Sequence, residues 1–343
     1  MVLEFIAMSR EERCAWMKSL GEPSFRVQQI EEWVFGQGVL AYDDMTNLPK
    51  SLRDSLASQE VPVMRAHVVA EKPSDGTTKL AIELSDGQVV EAVLMKYRYG
   101  LTLCISTQAG CKMGCVFCAT AQGGFVRNLT RHEMLAQLLL ANASRRLTGE
   151  RVTRIVLMGM GEPLDNYEES IAFVRIAVGP QCSISARRIT VSTSGLVPQI
   201  ERLAIEGLPL TLCVSLPAAD DELRQSLMPL ARIYPVNMVL AAMHAYARET
   251  KRRVTIEYVL IKDVNDRERH AVALAQKIRG GDFHVNLIPL NPIAESTLEP
   301  PLHSSVRKFQ TVLMREGIDV TVRRELGTKV HGACGQLRGS LRK

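Results

Sequence analysis

From about residue 101 onward, this 343-residue chain predicts an α/β fold built on a parallel sheet. Three observations carry that expectation. Apolar, β-branched runs recur as "LTLCIST", "RIVLMGMG", "RRITVSTSG", "LTLCVSLP", "RVTIEYVLI", "HVNLIPLN" and "DVTVRREL". They start roughly 25–50 residues apart with helical stretches between them, the rhythm of βα units closing into a barrel or partial barrel. The runs are apolar throughout rather than alternating, as strands covered by helices must be.

The elements ahead of the barrel follow in order. Residues 1–60 read as a helical accessory region: in "SFRVQQIEEWVFGQG", Val27, Ile30 and Val34 recur at helical spacing, and Gly36 and Gly38 end the pattern. A Thr46–Asn47–Leu48–Pro49 break leads into a short amphipathic segment, "KSLRDSLASQ". Residues 61–100 form a β extension, in which "TKLAIELSDGQVVEAVLM" is two strands joined at an Asp86–Gly87 turn. The barrel spans 101–325, and 326–343 is a C-terminal segment carrying Cys334.

Composition narrows the function. No apolar run reaches the ~18 residues of a membrane span, and acidic residues break the N-terminal apolar stretch, so neither membrane insertion nor secretion is expected. Eight cysteines with four in one short stretch suit metal binding in a reducing cytoplasm rather than a disulfide scaffold. Net charge is +5, and residues 307–343 hold nine Lys/Arg against three Asp/Glu. A basic C-terminal segment suits a polyanion such as RNA, or is a plain solvated surface.

Several strands end in polar groups: Glu162, Ser192, Ser194, Ser215 and Asn291. In β/α barrels those ends form the active-site mouth, although each residue alone also suits a cap or turn. The loop after the first barrel strand, "GCKMGCVFCAT", spaces Cys111, Cys115 and Cys118 as C-x3-C-x2-C. Three soft thiolates on one loop can hold three irons of a 4Fe–4S cluster and leave one open. Zinc with Cys104 as fourth ligand is the competing reading, weakened because Cys104 lies inside a strand. Period-2 reading places Glu91 on the strand face of Val89 and Val93, an apolar side where a carboxylate gains proton affinity; there it is either a tuned base or an edge-strand charge.

The cysteine loop on a β/α barrel resembles the radical S-adenosylmethionine (SAM) superfamily. "FRVQQIEEWVF", "MTNLPKSLR", "GCKMGCVFCATAQGGFVRNLT", "VLMGMGEPLDN", "RRITVSTSG", "RVTIEYVLI", "VNLIPLNP" and "GACGQL" together resemble the RlmN/Cfr family of RNA adenine methyltransferases, in order and spacing, from about residue 20 to 338. The resemblance implies a radical SAM partial (β/α)6 barrel. It implies a cluster on Cys111, Cys115 and Cys118, with SAM chelating the open iron. Gly161, Glu162, Ser192, Ser215, Leu216, Pro217 and Asn291 would contact SAM.

It further implies that Cys334 carries a methyl group as a thioether, with two SAM molecules consumed per turnover. Glu91 would take the ring proton, and Cys104 would release the product by forming a transient disulfide with Cys334. The implied substrate is C2 of an adenosine in 23S rRNA, with tRNA as a second; C8 methylation is the runner-up within the family. A non-catalytic iron–sulfur RNA-binding or redox-sensing protein is the alternative from another class. An external, flavodoxin-type electron donor, a monomeric state and a cytoplasmic location complete these expectations. The target base must be flipped from its stack, with Arg323, Arg324, Lys329 and Arg338 as phosphate contacts and His331 more simply a surface residue. Two positions depart from the family pattern: Pro217 stands where His is frequent, and Lys329 replaces an acid. Cys14, Cys182 and Cys213 read as small buried hydrophobes.

Overall fold

A computed structural model describes residues 3–323, 330, 332–337 and 339. Three helices open the chain: α1 (Arg10–Ser19), α2 (Phe25–Glu31) and α3 (Lys50–Ser58). Ser9 and Glu12 form a reciprocal capping box that starts α1. A π-helical turn over Glu32–Gly36 continues α2, so the periodic stretch is one helical segment ending where its glycines predict. These helices bury Met17, Val27, Ile30, Val34, Leu52 and Leu56 in the main core.

Strands β1 (His67–Ser74), β2 (Thr77–Glu83), β3 (Val89–Tyr97) and β4 (Gly100–Cys104) pair antiparallel in sequence order. The Asp86–Gly87 turn joins β2 to β3 as expected: Gly87 has φ +79°, and the Gln88 N–H donates to the Asp86 carboxylate at 3.0 Å. The small hairpin of β5 (Gln108–Gly110) and β6 (Phe125–Asn128) flanks the short α4 (Ala119–Gln122).

Beyond it come α5 (Arg131–Ala143), β7 (Val152–Leu157), α6 (Tyr167–Val178), β8 (Ile189–Thr193), α7 (Val197–Ala204), β9 (Thr211–Ser215), α8 (Asp221–Leu227), α9 (Val236–Thr250), β10 (Val254–Leu260), α10 (Glu268–Ile278), β11 (Phe283–Pro289), α11 (His303–Arg315) and β12 (Asp319–Val322). One ten-stranded sheet runs β1-β2-β3-β4-β7-β8-β9-β10-β11-β12. Every pair from β4 to β12 is parallel. The parallel part is thus six βα units and a closing strand, the partial barrel expected, extended by the antiparallel β1–β3. No helix among the described residues is long and apolar enough to cross a membrane.

Candidate active site

The C-terminal strand ends gather the chemistry. Cys111 follows β5 directly, and Cys118 precedes α4. The loop is tied down by backbone bonds, from the Cys111 N–H to the Gly124 carbonyl (2.8 Å) and from the Val116 N–H to the Leu227 carbonyl at the end of α8 (3.1 Å). Gly110 is required here. At φ +79°, a Cβ on it would lie 2.0 Å from the Gly124 oxygen.

All three thiols line one cavity of about 1020 Å³ including its open mouth, together with Gly161, Glu162, Ser192, Ser215, Asn291 and Cys334. That is the upper end of the ~300–1,000 Å³ range of small-molecule sites. Three thiols around one cavity, each able to take a separate iron, fit a cluster, with room left for a chelating molecule. Burial pushes the Cys111 thiol up to about 12 and Cys115 well above its usual value. Cluster binding therefore displaces protons and weakens as pH falls.

Glu162 is 4% exposed. Its Oε2 accepts from the Ser194 N–H (2.7 Å) and hydroxyl (2.9 Å), and its Oε1 from the Leu164 N–H (3.0 Å). Burial nonetheless raises its proton affinity, outweighing those donors. A carboxylate so desolvated and aimed at the cavity suits an ammonium partner. Gly161 lets the backbone pass: at φ +101° a Cβ would meet the Gln108 Cβ at 2.5 Å.

A second cavity adjoins the first, lined by Val93, Met95, Tyr97, Cys104, Met158, Arg323 and Cys334. Cys334 lines both. Its turn is stapled to the cluster loop, with the Ala119 N–H donating to the Gly335 carbonyl at 2.7 Å and the Thr120 hydroxyl to the Leu337 carbonyl. On the other side the Asn291 amide donates to the Cys334 carbonyl (3.1 Å) and the Gln336 amide to that of Pro292 (3.1 Å). Of the eight cysteines, all free, Cys334 has the most accessible residue surface, although its thiol sits within the walls of both cavities. Cys104 is absent from the walls of the cluster cavity and shares those of the second cavity with Cys334, two hundred and thirty residues away.

Burial raises the Cys104 thiol to about 12, Cys334 adding to the rise and Arg323 opposing it. Burial also raises Cys334, again opposed by Arg323. Arg323, expected among phosphate contacts, lines both cavities. Burial disfavours its charge, but Cys334, Glu257 and Cys104 outweigh that and hold it cationic. A pH prediction follows. In the apo protein, alkylation of Cys104, followed by peptide mapping, should rise about tenfold per pH unit from pH 7 to 10, because only the thiolate reacts. Levelling off below pH 9 would contradict the burial of this thiol.

Other expected residues stand farther away. Leu216 and Pro217 are buried behind Ser215 and line neither cavity; the Pro217 carbonyl accepts from Asn265 at 2.8 Å. Glu91 is fully buried on the same face of β3 as Val93, yet lines neither cavity. The apolar surrounding expected for it does not hold, because the equally buried Lys79 sits across the strands with Nζ 3.0 Å from Oε1. Sequence reasoning did not anticipate that pair. It also passed over Glu257, which lines the first cavity and accepts from the Asn286 amide at 2.9 Å. The available signal was a glutamate interrupting the apolar run "RVTIEYVLI" at an inward position. Cys213 is buried on β9, while Cys14 and Cys182 are half-buried. Arg324, Lys329, His331 and Arg338 lie outside the described residues.

Known proteins resemble this chain over nearly its whole length. Residues 105–275 match the radical SAM superfamily, and residues 3–61 match the ribosomal RNA large subunit methyltransferase N-terminal domain. A protein of Carboxydothermus hydrogenoformans named "Probable dual-specificity RNA methyltransferase RlmN" is 48% identical over 97% of each chain. One of the same name from Symbiobacterium thermophilum is 48% identical over 96% of this chain and 90% of its own. The crystal structure of a radical SAM methyltransferase from Sphaerobacter thermophilus superposes with a TM-score of 0.93 at 44% identity, covering 98% of this chain and all of that one. Radical SAM enzymes use a 4Fe–4S cluster and SAM, the groups for which the three-thiol cavity is suited. The chain belongs to the RlmN family of radical SAM RNA adenine methyltransferases.

Proposed function

We propose that this enzyme methylates C2 of an adenosine in 23S rRNA, and in tRNA, through a methyl group carried on Cys334. The observation that carries the reading is the position of Cys334 in the walls of two adjoining cavities, one with the three-thiol loop and the other with Cys104. When bound, the cluster supplies an electron, and SAM supplies both the methyl group and the means of hydrogen abstraction. Cys111, Cys115 and Cys118 hold the cluster. Gly161 and Glu162 take the SAM ammonium, and Ser192, Ser215 and Asn291 hold the rest; Leu216 and Pro217 contribute by shaping the turn behind Ser215.

Adenine C2 is an electron-poor amidine carbon, so it does not attack a methyl cation equivalent directly. Cys334 solves this by presenting the carbon as a thioether from a protein side chain, a form of covalent catalysis. The flipped base enters the second cavity between Cys334 and Cys104. Glu91, set behind the wall of the second cavity with Lys79 as its buried counter-charge, accepts the ring proton once entry of the base opens that wall. Cys104 then attacks the Cys334 sulfur, so the sulfur–carbon bond breaks as the disulfide forms. The released carbon takes a proton to become the methyl group, and the external electron donor returns the disulfide to two thiols. Thiol attack needs a thiolate, and Arg323 beside both sulfurs favours it.

The dual specificity carried in the relatives' name supports two RNA substrates. Anaerobic reaction of the reconstituted enzyme with SAM, dithionite and each RNA, followed by mass spectrometry of nucleosides, tests the reading. It predicts 2-methyladenosine from both RNAs. 8-Methyladenosine would reassign the carbon, methylation of one RNA alone would remove the other substrate, and no methylated adenosine would overturn the assignment.

A further inference from the structure

Arg224 of α8 ties the Ser194 backbone, beside Glu162, to Tyr234, and the end of the same helix holds the cluster loop by a backbone bond. Among the described residues Arg224 is the largest side chain with no solvent exposure. Its Nη1 donates to the Tyr234 carbonyl at 2.6 Å and its Nη2 to the Ser194 carbonyl at 3.0 Å. Its Nε meets no acceptor. No carboxylate among the described residues lies within ion-pairing distance of it. Gly195 makes room for it: at φ +105°, a Cβ there would lie 3.0 Å from Nη2.

A fully buried guanidinium held by neutral carbonyls alone is a costly arrangement, and burial usually brings a paired anion. Two negative groups act on it, Asp221 of its own helix first and Cys115 of the neighbouring loop second. The residue after α8, Met228, lines the three-thiol cavity, as does Ser194. The last carbonyl of α8, on Leu227, holds the Val116 N–H next to Cys115. Three thiolates on a 4Fe–4S core make an anion, and reduction adds a further negative charge; net charge is among the determinants of such a cluster's potential. Burial lowers the Arg224 pKa to about 10, with Asp221 and Cys115 opposing the fall, so the side chain stays cationic at neutral pH.

We propose that Arg224 is a positioning residue that supplies the buried counter-charge of the cluster loop and favours the reduced cluster. The inference rests on Cys111, Cys115 and Cys118 being the cluster ligands. When a one-electron reductant gives its electron to the cluster, the added charge develops beside a cation that backbone carbonyls already hold in place. No side chain has to move to meet it.

The test is a potentiometric titration of the anaerobically reconstituted full chain, followed by electron paramagnetic resonance, with iron counted per chain. In Arg224→Gln, the reduced-to-oxidised ratio at a fixed potential should fall about tenfold, equal to about 59 mV for one electron. Arg224→Lys, which keeps the charge, should stay within about twofold of the unmodified ratio. An unchanged ratio in a loaded Arg224→Gln protein would overturn the proposal. If Arg224→Gln folds but takes up no cluster, the role is structural and the proposal fails. If it does not fold, Arg224→Lys decides: a loaded cluster at the unmodified ratio supports the counter-charge, and a lost cluster or an equal shift rejects it. An unmodified chain that takes up no iron would instead overturn the ligand assignment itself, which separates the two failures.

Discussion

Cys104→Ala is expected to end each reaction with RNA covalently attached to the protein through Cys334. In the second cavity Cys104 is the thiol that shares a wall with Cys334. Its side chain is buried and its thiol raised to about 12, with Cys334 adding to the rise and Arg323 opposing it, so it is unreactive at rest. Alanine removes the attacking sulfur while leaving the methyl carrier, the cluster ligands and the RNA path in place. The carbon–sulfur link between base and protein then has no nucleophile to break it. Denaturing gels of protein incubated anaerobically with SAM, dithionite and RNA should show a nuclease-sensitive shifted band approaching one RNA per chain. Turnover should fall by at least about 10³-fold, as expected for loss of a group that performs a bond-breaking step. Normal turnover without an adduct would remove Cys104 from the release step. The fold should survive, since replacing a small buried sulfhydryl by a methyl costs about 1 kcal/mol or little more.

The second large effect is expected at the three-thiol loop. Cys115→Ala should abolish stable cluster binding, because each thiolate holds a separate iron and two leave the core under-coordinated. Iron should fall from about four per chain to below one, and the visible charge-transfer absorbance should vanish with it. 5′-Deoxyadenosine from SAM and dithionite should fall to background. The loop itself stays anchored through the Cys111 and Val116 backbone bonds, so thermal unfolding of the apo protein should change little. Cys104→Ala provides the contrast, since it should keep its full iron content. A Cys115→Ala chain with a full complement of iron would mean that this thiol is not a ligand.

Much of this molecule is legible in the linear pattern. Fully apolar runs at regular intervals identify the parallel strands, and Asp86–Gly87 identifies the hairpin, because strand period and turn chemistry are local properties. Strand ends likewise mark Glu162, Ser192, Ser215 and Asn291, and all four do reach one cavity. What the pattern misses is partnership across elements. Period-2 reading assigns Glu91 the correct face of β3 but cannot place Lys79, whose neighbouring strand brings it diagonally across. Arg323 sits in a stretch whose charge alone suggests a solvated surface, yet at the end of strand β12 it lines both cavities. Arg224 looks like any helical arginine until the packing of α8 buries it. Leu216 and Pro217 share a motif with Ser215, but their side chains turn away from the cavity, since consecutive residues leaving a strand cannot all face one side.

The central claim is that the methyl group travels on Cys334, and the mass of the peptide containing that residue tests it most directly. Reconstituted protein incubated anaerobically with SAM and reductant, without RNA, should yield a Cys334 peptide heavier by one methyl group. A Cys104 peptide of unchanged mass should accompany it, and adding RNA should return the methyl group's carbon to the nucleic acid. Methylated adenosine formed while Cys334 remains unmodified, or formed by Cys334→Ala, would contradict the account.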